Sequence, residues 1–248
     1  MTDFLSTSSI DALSAPKRVV PSSRSHLRSV EVLSRELMQR ELNTPLRRIN
    51  LALKRMMDIV GSALALAILS PILIAAAIAV KLESRGPVFF IQERWGKGQK
   101  RIRVFKFRSM YADVCDASGV AQTVQGDSRI TKVGALLRRT NIDELPQLIN
   151  VLKGDMSLVG PRCHVMGMQA GGVDYEELVP QYHLRHLMRP GITGLAQMRG
   201  LRGPTAEVRP SVRRVRSDLE YILAFNSFLD IAICFGTVWN ELRRGSGF

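Results

Sequence analysis

The chain has 248 residues, enough for one sizeable core with appendages. Of these 46% are hydrophobic, an ordinary share, so any membrane contact must be concentrated in one stretch. Lys and Arg number 35 against 22 Asp and Glu, a formal net charge of +13, which favours a polyanionic partner: nucleic acid, an acidic membrane face or phosphorylated small molecules. Cys115, Cys163 and Cys234 are too few and too scattered for a disulfide framework or a zinc site, and no apolar run follows Met1, so a cleaved signal peptide is not expected.

Residues 1–50 read as a polar, basic arm. Pro16 and Pro21 bracket Lys17 and Arg18. Ser29 then caps an amphipathic helix through Leu42, with Val30, Leu33, Leu37 and Met38 on one side and Arg35, Glu36 and Arg40 on the other. This arm is expected to be partly disordered by itself, its helix lying on a surface rather than docked.

Met56 to Val80 is almost continuously apolar, interrupted by Asp58, Ser62, Ser70 and Pro71. As a straight helix it measures about 37 Å, against a hydrocarbon core of about 30 Å. Pro71 removes a backbone donor near the midpoint and kinks the chain. Both flanks are basic, with Arg47, Arg48, Lys54 and Arg55 before and Lys81 and Arg85 after, and a single crossing can leave only one flank on the cytoplasmic side. A spanning helix and a hairpin broken at Ser70-Pro71 both satisfy the composition. Asp58 is expected near Arg55 at headgroup depth.

Gly86-Pro87 marks a turn, and Val88–Gln92 and Ile102–Phe107 read as a β-hairpin across a Gly- and Lys-rich loop. Residues 112–128 read as a polar loop. A short helix ends over Leu136–Arg139, another runs Pro146–Lys153 and stops at Gly154, and Tyr175–His186 reads as helical. Arg189–Gly194 (RPGITG) reads as a tight turn, residues 200–216 as a basic loop, and Asp218–Leu242 as one or two helices. Phe225, Phe228, Ile231, Ile233, Phe235 and Trp239 suit either a core or a headgroup-level helix face.

Chemistry concentrates in residues 138–162, RRTNIDELPQLINVLKGDMSLVGPR. Pro146 suits a first helical position, so Asp143 and Glu144 stand just before a helix N-terminus, beside Arg138 and Arg139. Acids there complement the helix dipole in any protein. They can equally hold Mg²⁺ against a phosphate, and a carboxylate can attack phosphorus to give an acyl phosphate. Lys106 and Arg108 fall on one face of a strand, where they could hold a diphosphate or simply be solvated. His26, His164, His183 and His186 show no metal spacing and read as structural.

KRMMDIVGSALALAILSP, SRGPVFFIQERWGKG, KFRSM, DSRITKVGALLRRTNIDELPQLINVLKGDMSLVGPR, MRPGITGLAQMRG and the closing D-LEYILAFNSFLDIAI occur in this order from about residue 51 almost to the end. In this they resemble the bacterial sugar transferase family, the monotopic phosphoglycosyl transferases acting on undecaprenyl phosphate. The resemblance implies that Asp143 is the nucleophile and binds Mg²⁺, that Glu144 completes the dyad, and that Lys106, Arg108, Arg139, Arg162 and Arg189 hold phosphate or uridine. It implies a sugar-1-phosphate moved from a UDP-sugar to undecaprenyl phosphate through a covalent phospho-sugar on Asp143, with UMP released, as a first membrane step of exopolysaccharide or lipopolysaccharide assembly. It also implies a membrane helix that enters and leaves on one face at Ser70-Pro71, seated in the bacterial inner membrane with the catalytic part in the cytoplasm.

The expected class is α+β, mainly helical: a re-entrant membrane hairpin (51–85), and a small β-hairpin with interfacial helices in a single cytoplasmic catalytic domain (86–248), preceded by the arm (1–50). Where the family usually reads Pro-Arg-Pro this chain has Pro161-Arg162-Cys163, and where larger relatives carry added spanning helices it has only the arm, as a minimal form would. An inactive, lipid-binding scaffold is the alternative reading, and a homodimer stays open. A nucleic-acid role finds no reader motif and, at 6% aromatic residues, little stacking surface.

Overall fold

The computed structural model describes residues 36, 38, 40, 43–114, 126–201, 203, 205 and 207–244. Most of the expected arm and residues 115–125 of the expected loop lie outside these. Of the helix expected over Ser29–Leu42, Glu36, Met38 and Arg40 are described and helical. Met38 is buried in the largest apolar cluster with Leu184, Tyr221 and Phe225, so that side chain is docked and not surface-lying.

The first long element, α1, runs Pro45–Glu83, six residues earlier than the sequence reading placed it, with Pro45 in the first turn. It is the one helix among the described residues long and apolar enough to cross a membrane. Its burial is inverted relative to a soluble helix: in the first half Lys54, Asp58 and Ser62 are buried, while Leu53, Met56, Ile59, Val60 and Leu64 are exposed. Helical structure continues through Pro71 without interruption, so the break expected at Ser70-Pro71 is not present. Proline lacks the N–H that would bond Ala67 O four residues back, and the Ser70 hydroxyl donates to that carbonyl at 2.8 Å instead.

β1 (Phe89–Trp95) and β2 (Arg101–Phe107) pair antiparallel in the expected hairpin, with Phe89 opposite Phe107 and Trp95 opposite Arg101. Gly98 and Gln99 close the loop with positive φ. α2 (Lys132–Arg139), a 3₁₀ turn (Ile142–Glu144) and α3 (Gln147–Lys153) follow, α3 ending on Gly154 in the left-handed conformation. β3 (Ser157–Val159) pairs in parallel with β6 (Gly191–Thr193), and β4 (Gln169–Ala170) pairs with β5 (Val173–Asp174). α4 (Tyr175–Leu178), a 3₁₀ segment (Tyr182–Leu187), α5 (Leu195–Met198), α6 (Val208–Ala224) and α7 (Ser227–Arg244) complete a mostly helical chain with small sheets.

Three further expectations are corrected. RPGITG is not only a turn: Gly191–Thr193 is a strand, lying so close to β3 that a Cβ on Gly191 would strike the backbone of Gly160 and Val159. Residues 200–216 are not all loop, because α6 starts at Val208 and carries Arg209, Arg213, Arg214 and Arg216. Tyr175–His186 is two pieces, divided around Pro180, whose ring and missing N–H oppose a continuous helix. The aromatic stretch near the C-terminus divides: Phe225 and Ile233 are core, whereas Phe228, Phe235 and Trp239 are exposed along α7.

Candidate active site

The acidic pair is delivered by a tight succession of caps. Thr131 accepts from Gly134 N at 2.9 Å to start α2, and the Glu83 carboxylate from the end of α1 accepts from Val133 N. A Cβ on Gly134 would collide with the Ser109 carbonyl, so only glycine lets α2 lie against the segment leaving β2. Asn141 then takes a left-handed conformation (φ 55°), which ends α2 and swings Asp143 and Glu144 inward on the 3₁₀ turn. Pro146 stands at the entry to α3, so the pair precedes a helix start as the sequence suggests.

Glu144 is held by two cations. Lys106 Nζ donates to its Oε1 at 2.8 Å, and Arg162 approaches the same carboxylate at 2.6 Å (Oε1) and 3.3 Å (Oε2). Burial pushes the Glu144 carboxyl up, but Arg162 and Lys106 outweigh it and hold it well below the usual carboxylate range. Asp143 is different. It is buried, and among the described residues no hydrogen bond reaches its carboxylate. Burial raises it to about 6, with Lys106, Arg138 and Arg162 opposing and the Glu144 charge adding to the rise. Neighbouring carboxylates thus sit in opposite states of readiness, one neutralised by ion pairs and one bare.

Of the five cations expected to hold phosphate or uridine, Lys106 and Arg162 meet the pair. Arg108 does not: its guanidinium is buried at the C-terminal end of α1, donating to Ser84 O at 2.8 Å, Val80 O at 3.2 Å and Arg85 O. Arg189 donates to Gly154 O at 2.8 Å, at the far end of α3, roughly 10 Å of helix from the pair. Arg139 is exposed at the end of α2. Its neighbour Arg138 turns inward, Nε donating to Ser109 Oγ at 2.7 Å within electrostatic reach of Asp143. Arg138 is four residues after buried Gly134, a helical spacing that marks it as the inward member of the pair.

The segment carrying Arg162 is gripped along its backbone. Gly191 N donates to Pro161 O at 2.9 Å, buried Arg185 to Arg162 O at 2.5 Å, and Arg94 to Cys163 O at 2.9 Å. Cys163 is buried among Val104, Val151 and Met156, where a small thiol fits the apolar surroundings. His164 is also buried, its Nδ1 3.0 Å from the Tyr182 hydroxyl oxygen Oη, and burial with Arg185 and Arg94 nearby holds it well below the usual imidazole range. His164, His183 and His186 form ring contacts with Tyr182, consistent with structural roles; His26 lies outside the described residues.

Among the described residues no group of three or more His, Cys, Asp or Glu converges on one point. Mg²⁺ does not require one, since it is commonly held by one or two carboxylates together with substrate phosphates. A buried carboxylate without hydrogen-bond donors fits that donor set, and among the described residues Asp143 is such a group.

Residues 49–244 match the family described as bacterial sugar transferase. The exopolysaccharide production protein PSS of Rhizobium leguminosarum bv. phaseoli is 61% identical over 199 residues, covering 80% of this chain and 100% of that protein. An undecaprenyl-phosphate glucose phosphotransferase of Komagataeibacter xylinus is 47% identical over 204 residues (82% of this chain), and a UDP-glucose:undecaprenyl-phosphate glucose-1-phosphate transferase of Escherichia coli K12 is 50% identical over 197 residues (79% of this chain). The matched region spans only 38% and 42% of those two longer proteins. The match runs from α1 through the Asp143–Glu144 turn to α7, and on it the chain belongs to the bacterial sugar transferase family.

Proposed function

We propose that the chain transfers a sugar-1-phosphate from a UDP-sugar to undecaprenyl phosphate, with Asp143 as the nucleophile. The observation that carries this reading is the contrast within the pair: Glu144 is engaged by Lys106 and Arg162, while Asp143 is buried and accepts no hydrogen bond among the described residues. A carboxylate oxygen of Asp143 attacks the phosphorus that bears the sugar, the bond from that phosphorus to the bridging oxygen breaks, and UMP leaves. An oxygen of the lipid phosphate then attacks the acyl phosphate, restoring the Asp143 carboxylate. Lys106, Arg138 and Arg162 balance the charge of the diphosphate and the leaving group. Mg²⁺, held at Asp143 with substrate phosphates, would supply further neutralisation of the phosphate charge. The names of the longer relatives make glucose the first sugar to test.

The same reading places the enzyme at the cytoplasmic face of the inner membrane, with 1–50 as arm, 51–85 as a re-entrant helix and 86–248 as the catalytic part. Support comes from what α1 touches. Arg55, Asp58 and Gly61 meet α3 and β3, while Leu73, Ala76, Ala77 and Val80 pack against Phe107, Leu137 and Ile142. Gly61 and Leu73 are only about 18 Å of helix apart, less than a hydrocarbon core. Both halves of the helix therefore face one protein body, which fits entry and exit on one side better than a crossing.

UMP release from a panel of UDP-sugars, with polyprenyl phosphate and Mg²⁺, tests the reading. Turnover with one donor and its loss in Asp143→Asn is the expected result; no release with any donor favours the inactive scaffold.

A further inference from the structure

Lys54, Asp58 and Ser62 recur every fourth residue on α1 and are all turned inward, away from its apolar outer face. Ser62 bonds its own helix, its hydroxyl donating to Asp58 O at 2.5 Å. The other two reach across to β3. Asp58 Oδ1 accepts from Leu158 N at 2.8 Å and from Ser157 Oγ at 2.9 Å. Lys54 Nζ donates to Val159 O at 2.6 Å and to Asp230 Oδ2 of α7 at 2.7 Å. Tyr221 of α6 completes the group, its hydroxyl donating to Asp230 Oδ1 at 2.7 Å and reaching Val159 O at 3.3 Å. β3 pairs with β6 on one edge; on the other, a carboxylate and an ammonium from α1 take the place of a neighbouring strand.

Such a cluster is an expensive way to obtain stability alone. Lys54, Asp58, Asp230 and Tyr221 are all buried, and Asp58 Oδ2 has no hydrogen-bond partner among the described residues. Burying charge with an unsatisfied oxygen costs free energy that an apolar side chain of the same size avoids. What the polar groups provide instead is registry, because Asp58 accepts from one backbone atom, Leu158 N, and Lys54 donates to another, Val159 O. Val159 is three residues before Arg162, and the intervening backbone is itself fixed, Gly160 N on Thr193 O at 2.9 Å and Pro161 O on Gly191 N at 2.9 Å. A shift of β3 along α1 therefore reaches the Arg162 guanidinium, which stands 2.6 Å from Glu144.

We infer that Lys54 and Asp58 are positioning residues: a polar clamp from the lipid-seated helix onto β3 that sets where Arg162 stands in the active site. The inference rests on the transferase reading above. It makes the seating of α1 part of the active-site frame.

The test uses the full chain in lipid nanodiscs and follows the UMP burst from UDP-glucose, or whichever UDP-sugar proves active, without acceptor. Burst amplitude reports the folded, competent fraction, and burst rate reports geometry. In Asp58→Leu the clamp account expects the rate to fall at least tenfold and the donor KM to rise, with amplitude and thermal midpoint nearly unchanged. Asp58→Asn, which keeps an acceptor for Leu158 N, recovers a large part of the rate. In an Arg162→Ala background Asp58→Leu costs nothing further, since both act through one side chain. If Asp58→Leu does not fold, Lys54→Met/Asp230→Leu, which removes both charges together, enters the same comparison. A fall in amplitude at unchanged rate, or additive losses with Arg162→Ala, overturns the clamp while leaving the transferase reading intact. No turnover by the parent chain overturns the transferase reading itself.

Discussion

Asp143 and Glu144 are neighbours in sequence whose surroundings drive them apart. Only an ionised Asp143 can attack phosphorus, so with its carboxyl raised to about 6, kcat/KM is lost as pH falls through that value. Glu144, held well below its usual range, stays ionised across the same interval and adds no second step. The acidic limb of the rate profile should therefore lie near pH 6 at low Mg²⁺, and move lower as Mg²⁺ is raised because a cation favours the charged form. A limb near pH 4 at low Mg²⁺ would contradict the burial argument. Arg162→Met removes a charge-assisted hydrogen bond worth about 1.5–3 kcal/mol, so kcat/KM should fall roughly tenfold to a hundredfold in steady-state assays. The pair itself was legible from its place before Pro146; which cations meet it was not. Lys106 and Arg108 share a face only while the strand lasts, and β2 ends at Phe107, so Arg108 escapes the alternation and turns to α1.

Two arginines read from sequence as a basic membrane flank, Arg47 and Arg55, and one read as a phosphate ligand, Arg108, close helix ends at the scale of elements. Arg47 reaches the C-terminal carbonyls of α6 at Phe225 O (2.7 Å), Arg55 those of α3 at Val151 O (2.7 Å) and Leu152 O (2.8 Å), and Arg108 those of α1. Cations there satisfy orphan carbonyls and meet the negative end of the helix dipole. Part of the +13 charge is thus structural, which composition could not reveal. Arg108→Leu should cost about 2 kcal/mol, lowering the thermal midpoint by roughly 4–8 °C, with donor KM changed far less than by Arg162→Met. A large rise in donor KM without a change in melting would return Arg108 to the phosphate site. Gly134→Ala should displace α2 from Ser109 and cost roughly 1–3 kcal/mol, seen as a lower midpoint and a slower burst. The hairpin, α2 and α3 followed from apolar patterning and turn residues. The strand in RPGITG did not, because a three-residue parallel pair depends on a partner more than thirty positions away. The start of α6 was hidden by charge: its arginines read as solvated loop, though Ser211, Val215 and Asp218 form a buried side at helical spacing.

Across the whole molecule, the apolar helix is an integral wall of the protein, contacting β3, α3, α2 and α7 along its length. Its polar residues were visible as interruptions, but their direction was not. Asp58 was expected near Arg55 and instead bonds Ser157 and Leu158, while Arg55 bonds the end of α3. Contacts made by both halves of α1 on one body predict that Pro45→Cys and Arg85→Cys are labelled from the same side of an intact membrane; labelling from opposite sides would require a crossing. The account as a whole turns on Asp143 carrying the phospho-sugar, and its most direct measurement is intact-protein mass after mixing with donor and Mg²⁺ in the absence of acceptor. A mass increase equal to one hexose phosphate is expected, absent in Asp143→Asn and discharged on adding polyprenyl phosphate. Product formed at full rate by a protein that never gains that mass would contradict it.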